Sequence, residues 1–304
     1  MDINNYRRKG VIETEELLNL RTVEKSDIYE LLQSARELKL KSRQGERLKK
    51  LAGKNIFLMT KNSFGKARLA FEIAVRSLDA HPISLPMGGK DIEDLTHNQD
   101  SIKVLERFDI SLAVVDTSDR TDALELSKHL ALPVINANER AGACHSLAVL
   151  LTIWEYKNKL KDLKVVIIGG FEQDQTSLLY GMCKCGMDVT IVSPSKVANI
   201  QRAIERARED LGEDGYVKWT SNLDEALEGC DFVYCYGHEY GEDYCLTLDK
   251  LNKLAPNAYY SQNIPFVHGK EADEELISSQ KALIYDQGEN LLHVERAAIY
   301  LLGK

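Results

Sequence analysis

Residues 132–153 read LPVINANERAGACHSLAVLLTI, and this stretch carries the pattern that decides the fold. A short apolar run, PVIN, stops at the polar segment NERAGACH, and apolar residues at helical spacing then begin. A buried strand followed by a turn and a helix is the repeating unit of an α/β protein, in which such turns commonly hold the functional side chains. Cys144 and His145 lie at this turn. They are either a reactive pair or a buried thiol beside a helix-capping histidine.

The same alternation extends on both sides of this stretch and predicts βαβ units with a mainly parallel sheet. Strand-like runs occupy 55–60, 81–86, 111–116, 133–136, 164–170, 188–194, 216–220, 231–237, 258–264 and 282–286. Helical patterns occupy 66–78, about 100–108, about 121–130, 145–158, 174–186, 198–212, about 222–228 and 291–303. We expect two doubly wound parallel-sheet domains with an interdomain cleft, spanning 1–148 and 149–290, and a last helix, 291–304, that is able to pack back on the first domain.

Composition excludes several classes of function. A chain of 304 residues is long enough for about two domains, and its net charge of −8 disfavours nucleic acid or an anionic membrane as a partner. No apolar stretch reaches the roughly 18 residues of a membrane-spanning helix. The first residues, MDINNYRRKGVIETEE, lack the apolar core of a signal peptide, so a cytoplasmic location is expected.

Six cysteines without a secretion signal are typical of reduced thiols. Cys183 and Cys185 are two positions apart, which on a helix separates them by about 200° and prevents them from chelating one ion together. A cluster of Cys230, Cys235, His238 and Cys245 is either a metal site or a set of buried thiols with a nearby histidine. Its spacing fits no standard zinc pattern, and we therefore predict no metal and no cofactor.

Two strand-to-helix turns are candidates for binding an anion. KVVIIGGFEQDQTSLL (164–179) lacks the G-x-G-x-x-G fingerprint and places two acidic residues at the turn, which disfavours a nucleotide-binding oxidoreductase. In TKNSFGKARLAFEIA (60–74), Gly65 precedes Lys66 and Arg68 at a helix start. This segment is either an anion cradle, built from backbone N–H groups and two cations, or a solvated helix start.

Several segments together resemble the aspartate/ornithine carbamoyltransferase family, closest to its ornithine branch. They are LPVIN with the following LLTI, GMDVTIVSP, EALEGCDFVY and the ending YDQGENLLHVERA. The resemblance covers nearly the whole chain. It implies an anion-binding first domain, an amino-acid-binding second domain, catalysis without a cofactor and a homotrimer.

The family's functional motifs are mostly replaced. Its S-T-R-T-R falls on residues 64–68, FGKAR, and the arginine of its R-T pair falls on Asp116, before Thr117. Its H-P-C-Q falls on residues 142–145, GACH, which puts glycine in the place of the histidine that polarises the carbonyl group. Its H-C-L-P falls on residues 262–265, QNIP, and a following arginine falls on His268. Its D-x-x-x-S-M-G region, which binds ornithine, reads YGHEYGE at 236–242. The loop that each subunit of the family contributes to the neighbouring subunit's site reads THNQD at 96–100.

Two functions remain open. The first is a divergent transferase that acts on an anionic or amino-acid-like small molecule, for which ordinary ornithine or aspartate carbamoylation is disfavoured. The second is a catalytically inactive member that serves as a binding or regulatory subunit. If the chain is a transferase, the catalytic candidates are His145, Gln262 and His268. The substrate-binding candidates are Gly65, Lys66, Arg68, Asp116, Thr117, Cys144, Gln173, Tyr236, His238, Asn263 and Ile264.

Overall fold

The computed structural model describes residues 2–46, 48–60, 66–87, 89–116, 122–138, 142–171, 176–212, 216–237 and 240–303, with the backbone alone at 66, 67, 89 and 99. The chain divides into two compact units. The first unit contains Tyr6–Leu151 and Glu289–Lys304, and the second contains Met1–Asn5 and Thr152–Gly288.

The first unit is built on a four-stranded parallel sheet in the order β2-β1-β3-β4. The strands are β1 (Asn55–Thr60), β2 (His81–Pro86), β3 (Ile110–Asp116) and β4 (Val134–Asn136). The helices that begin in this unit are α1 (Lys25–Arg43), α2 (Lys66–Ser77), α3 (Gly89–His97), α4 (Gln99–Leu105), α5 (Asp122–Ser127) and α6 (Ala143–Lys157). Five of the six residues of β1 are buried, because a strand inside a parallel sheet is covered on both faces.

The second unit is built on a five-stranded parallel sheet in the order β7-β6-β5-β8-β9. The strands are β5 (Lys164–Ile168), β6 (Asp188–Val192), β7 (Val217–Thr220), β8 (Phe232–Cys235) and β9 (Tyr259–Gln262). The remaining helices are α7 (Ser177–Lys184), α8 (Ala198–Leu211), α9 (Leu223–Leu227), α10 (Leu248–Leu254), α11 (Glu274–Ile277) and α12 (Ile284–Leu302). After β5, Gly169 and Gly170 have φ angles of 76° and 91°, so this Gly-Gly pair forms a tight turn that favours glycine at both positions.

The register brings the carboxyl ends of neighbouring strands to one edge of each sheet. In the first unit Thr60 pairs with Asp116, and Val115 pairs with Asn136. In the second unit Cys235 pairs with Gln262. Ligands of open α/β sheets bind at such edges, and this is where the candidate residues have to be sought.

The strand predicted at 282–286 is wrong. Ala282 forms only an isolated bridge with Tyr260, and α12 begins at Ile284. An apolar run of a few residues cannot by itself distinguish a strand from the start of a helix. The local sequence pattern also did not predict α1, α3, α10 or α11.

Among the described residues, no helix combines the length and the apolar character needed to cross a lipid bilayer.

Candidate functional site

At the sheet edge of the first unit, the anion-binding candidates gather around α2 and the end of β3. Lys66 is the first residue of α2, and the half-buried Asp116 ends β3. Gly65 and Thr117 lie outside the described residues, as does the side chain of Lys66. The backbone thus places the start of α2 after β1, and Asp116 at the end of the adjacent parallel strand β3.

Arg68, in the first turn of α2, is paired within its own helix. Its Nε lies 3.1 Å from Oε1 of Glu72, which also accepts a hydrogen bond of 2.8 Å from the hydroxyl of Ser84 on β2. The hydrogen bond from Ser84 and the guanidinium of Arg68 hold the pKa of Glu72 below its ordinary value, although burial acts in the opposite direction. An anion bound by Arg68 therefore has to share the guanidinium with a carboxylate.

The start of α6 holds Cys144 and His145. The helix begins at Ala143, two residues before the predicted start, so both side chains lie in its first turn, where they are 2 % and 6 % exposed. Burial, with a further contribution from the charge of Glu295, raises the pKa of the Cys144 thiol well above its usual range. A buried thiol that resists ionisation is a poor nucleophile, and this supports the structural interpretation of Cys144.

Gly142 occupies a position that has no room for a side chain. A Cβ atom there would lie 2.4 Å from the carbonyl oxygen of Asn136 and 2.6 Å from that of Asn138. The turn is closed by a hydrogen bond of 2.8 Å from the Gly142 N–H to the Asn138 carbonyl oxygen. In this backbone conformation no histidine can stand at residue 142.

At the sheet edge of the second unit, Tyr236, Gln262 and Asn263 follow or end adjacent strands. Tyr236 is buried and packs edge-to-face on Tyr234, with ring centroids 4.9 Å apart. The side-chain amide oxygen Oε1 of Gln262 accepts a hydrogen bond from the hydroxyl of Tyr260, and the backbone N–H of Asn263 donates to the backbone carbonyl oxygen of Cys235 at 3.0 Å. Within the described part of the chain, Gln262 Nε2 and Asn263 Oδ1 are buried without a hydrogen-bond partner.

Glu271 belongs to the same region and is not among the candidates predicted from the sequence. It is 6 % exposed, and its Oε1 lies 3.5 Å from the position that a Cβ atom would take on Gly237. Its Oε2 is buried and has no hydrogen-bond partner among the described residues. The acidic run 271–275, EADEE, is typical of an exposed helix start, so no local signal marks its first carboxylate as buried.

Two further candidates lie near this edge in the sequence. His268 is exposed, stacks on Phe266 at 4.8 Å between ring centroids, and has its Nδ1 3.0 Å from both carboxylate oxygens of Glu274. Ile264 is half-buried and packs with Phe266 against the core of the second unit. Gln173 and His238 lie outside the described residues.

The cysteines behave as buried thiols. Burial is the largest cause of the raised pKa values of Cys183, Cys230 and Cys235, each about 12, and burial also raises the pKa of the partly exposed Cys245. The described residues contain no group of three or more His, Cys, Asp or Glu side chains that could hold a metal ion.

Both halves of the chain match known domain profiles. Residues 15–155 match "Aspartate/ornithine carbamoyltransferase, carbamoyl-P binding domain", and residues 161–302 match "Aspartate/ornithine carbamoyltransferase, Asp/Orn binding domain". The chain belongs to the aspartate/ornithine carbamoyltransferase family. Each group of candidate residues therefore falls within one of the two family domains.

Individual relatives agree with this assignment. Ornithine carbamoyltransferase from Methanococcus aeolicus is 28 % identical over 306 positions, which cover 95 % of this chain and 99 % of the relative. The protein of the same name from Halalkalibacterium halodurans is 29 % identical, with 94 % of each chain covered.

Solved structures show the same fold. Ornithine carbamoyltransferase from Pyrococcus furiosus superposes with a TM-score of 0.84 at 24 % identity, covering 95 % of this chain and 96 % of that chain. The Gloeobacter violaceus enzyme gives a TM-score of 0.81 at 27 % identity, covering 97 % of this chain and 100 % of that chain.

Proposed function

We propose that this chain is a divergent transferase that binds an anionic donor at the sheet edge of the first unit and an amino-acid-like acceptor at that of the second. The observation that carries the proposal is the set of buried polar atoms without a protein partner at the second edge, Gln262 Nε2 and Asn263 Oδ1 in the described residues. Buried polar groups are nearly always hydrogen-bonded in folded proteins, so atoms left unpaired at a ligand-binding edge favour a bound ligand as their partner.

The residues present suit a group transfer that proceeds without a covalent enzyme intermediate. Such a transfer needs protein cations that bind the anionic donor molecule, a hydrogen-bond donor to the reacting carbonyl oxygen, and an amine held in line. In our proposal Lys66 and Arg68 hold the anion, and Gln262 Nε2 donates to the ligand. His145 and His268 are the groups that can move a proton.

We further propose that ordinary ornithine or aspartate carbamoylation is not the main reaction. The family's carbonyl-polarising histidine falls on Gly142, where a Cβ atom would come within 2.4 Å of a backbone oxygen. Asp116 stands where the family has an arginine, beside the expected anion. At an effective dielectric constant of 20, unit charges about 4 Å apart interact by roughly 4 kcal/mol, so this reversal changes which donor the edge accepts.

Calorimetric titration with carbamoyl phosphate tests the donor half. We expect millimolar or tighter binding that Lys66→Ala abolishes, whereas Lys90→Ala, which removes an exposed lysine of the same unit, leaves it unchanged. Asp116→Arg should tighten the binding. If carbamoyl phosphate does not bind, and a thermal-shift screen of other phosphorylated metabolites is also negative, the transferase proposal fails.

The alternative, an inactive binding or regulatory subunit, is favoured by one observation. Arg68 is engaged by Glu72 within its own helix at 3.1 Å, so part of its guanidinium is already used by the protein. Incubation with carbamoyl phosphate and a panel of amines, followed by phosphate measurement, separates the two functions. Ligand binding without phosphate release above the uncatalysed rate would favour the binding subunit.

We also propose a homotrimer that works in the cytoplasm. The edge strand β2 supports the assembly, because Ile83 and Leu85 are exposed on it and Leu69 and Ile73 are exposed on the adjacent α2. Exposed apolar side chains along an edge strand are typical of a protein interface.

A further inference from the structure

Glu271 is a buried carboxylate for which the described structure provides no compensating charge. No lysine, arginine or histidine of the described residues forms an ion pair with it, and its Oε2 accepts no hydrogen bond there. Glu271 as a whole is only 6 % exposed. A buried charge without a partner is strongly unfavourable, so a cation from outside the chain that pairs with it would stabilise the folded protein.

The titratable groups around this carboxylate do not supply the missing cation. Burial is the main cause of the raised pKa values of the Cys235 and Cys245 thiols and of the Tyr260 phenol, and the charge of Glu271 adds a smaller contribution to each. These groups are therefore neutral at physiological pH. A thiol or a phenol can donate a hydrogen bond, but it cannot neutralise a carboxylate.

The position of Glu271 connects it to the proposed ligand edge. Its Oε1 borders Gly237, which directly follows Tyr236 after β8, and its backbone carbonyl accepts a hydrogen bond of 2.9 Å from Leu246. Gln262 and Asn263 end and follow the neighbouring strand β9, whose register pairs Gln262 with Cys235. One unpaired amide donor and two unpaired acceptors, one of them charged, therefore belong to the same sheet edge.

We propose that Glu271 recognises a protonated amine of the bound ligand and thereby restricts this edge to amine-bearing molecules, an inference that rests on the proposed transferase function. The ammonium group donates to Glu271 Oε2 and to Asn263 Oδ1, and Gln262 Nε2 donates to an oxygen of the same ligand. This pattern of two acceptors and one donor complements an amine that carries a carboxylate or carbonyl group. The side chain of Tyr236 cannot provide the negative charge that pairs with the ammonium group, because burial raises the pKa of its phenol and keeps it neutral.

Ligand binding by three proteins tests the inference: the wild type, Glu271→Gln, and the control Glu275→Gln, which makes the same change at an exposed position of the same acidic run. The probes are the standard amino acids, L-ornithine and 1,4-diaminobutane, with pentanoate as an amine-free carboxylate, each with and without inorganic phosphate. Thermal shift selects the compounds, and calorimetry measures their affinities. We expect amine binding to be equal in wild type and Glu275→Gln and about 10- to 100-fold weaker in Glu271→Gln.

The ligand-free proteins provide an independent measurement. Because the charge of Glu271 is uncompensated without ligand, Glu271→Gln should melt at or above the temperature of the wild type. Glu271→Asp keeps the charge and should retain the preference for amines over pentanoate with reduced affinity. A lower melting temperature for Glu271→Gln, or a failure of that variant to fold, would show that the carboxylate supports the fold instead.

The possible failures are distinguishable. Amine binding that is as tight in Glu271→Gln as in the wild type overturns the inference and leaves the transferase proposal standing. If no compound of the panel binds the wild type and carbamoyl phosphate does not bind either, the proposed function fails and the inference fails with it.

Discussion

At the scale of single residues, the backbone around Gly142 leaves no room for a side chain. The polar turn between β4 and α6 folds back so closely that two carbonyl oxygens, of Asn136 and Asn138, occupy the space of a Cβ atom. A substitution of Gly142 by histidine would have to open this turn.

Gly142→Ala should consequently destabilise the protein although it adds only a methyl group. Contacts of 2.4 Å and 2.6 Å with backbone oxygens cannot be relieved by rotating a side chain, so we expect a loss of about 3 kcal/mol in the free energy of unfolding. Gly288→Ala is the matched control. It lies inside α12 with nothing within 4 Å of its Cβ position, and it should stabilise by about 0.5–1 kcal/mol. Equal effects of the two changes in urea denaturation would contradict this account.

A second residue, Glu30, fixes the segment before α1. Its buried carboxylate accepts hydrogen bonds from the hydroxyl of Tyr6 at 3.2 Å, from Nε of Arg8 at 3.1 Å, and from the N–H groups of Lys9 and Gly10 at 2.7 Å and 3.0 Å. Burial alone would raise the pKa of Glu30, but these donors hold it below its ordinary value. Burial and the neighbouring carboxylate raise the pKa of Tyr6 to about 12.

Glu30→Gln should cost about 2–4 kcal/mol near neutral pH, because an amide cannot accept all of these hydrogen bonds and brings two donors of its own. The lowered folded-state pKa means that the stabilisation is present above the unfolded-state value of 4.5 and is lost as the pH falls below it. The difference in unfolding free energy between wild type and variant should therefore shrink from pH 7 to pH 3. Glu24→Gln, at an exposed position just before the same helix, should change stability by less than about 0.5 kcal/mol at any pH. A gap that stays constant with pH would rule out the ionised carboxylate as its source.

At the scale of elements, the strands that can be predicted from the sequence are those whose residues are buried on both faces of the sheet. β1 and β5 are mainly apolar, NIFLMT and KVVII; β1 lies at the predicted 55–60, and β5 begins at the predicted Lys164 but ends at Ile168, before the predicted end at 170. The segment 282–286, ALIYD, has the same local appearance but starts a helix of 19 residues. Of residues 282–286, Ala282 alone bridges to the sheet, at Tyr260, before the helix begins at Ile284, and the local pattern does not show that the strand contact stops there.

Helix α12 also carries a buried polar cluster within the first unit. Lys39 on α1 donates to Asn290 Oδ1 at 2.7 Å. In the same cluster, His293 Nε2 lies 3.7 Å from Glu289 Oε1, and His293 Nδ1 lies 3.4 Å from an Nη atom of Arg296. Burial, followed by the charges of Arg296 and Lys39, lowers the pKa of His293 to about 4, against the attraction of Glu289. The imidazole is thus neutral in the folded protein at neutral pH.

Stability should therefore fall as the pH drops from about 6.5 towards 4, because in this window the unfolded chain binds a proton at His293 that the folded protein does not. The full effect approaches about 3 kcal/mol at pH 4. His293→Gln removes this contribution, so the variant should lose less stability than the wild type over the same window. His129→Gln, at an exposed position, should follow the wild-type profile. Parallel profiles of wild type and His293→Gln in pH-dependent thermal unfolding would contradict the lowered pKa.

At the scale of the whole molecule, the resemblance proposes candidate positions but says little about their surroundings. Residues 142–145 and 262–264 are candidates because motifs of the family fall on them, within the two matched domains. The closed turn at Gly142 and the buried charge of Glu271 could not be found in this way. Both depend on how closely distant backbone segments approach each other, and the residue type, glycine or glutamate, does not indicate this distance.

The exposed edge of the first unit gives the last prediction. Leu85 on β2 is 46 % exposed at the free side of the sheet, and the proposed trimer would cover it. Light scattering after size-exclusion chromatography should give three times the chain mass of 34.3 kDa for the wild type. Leu85→Lys places a charge in the covered edge and should lower the mass towards that of one chain. Leu124→Lys, which makes the same change at an equally exposed leucine of α5, should leave the mass unchanged. A wild type that elutes with the mass of one chain would refute the assembly, and a trimer that survives Leu85→Lys would place the interface on a different surface.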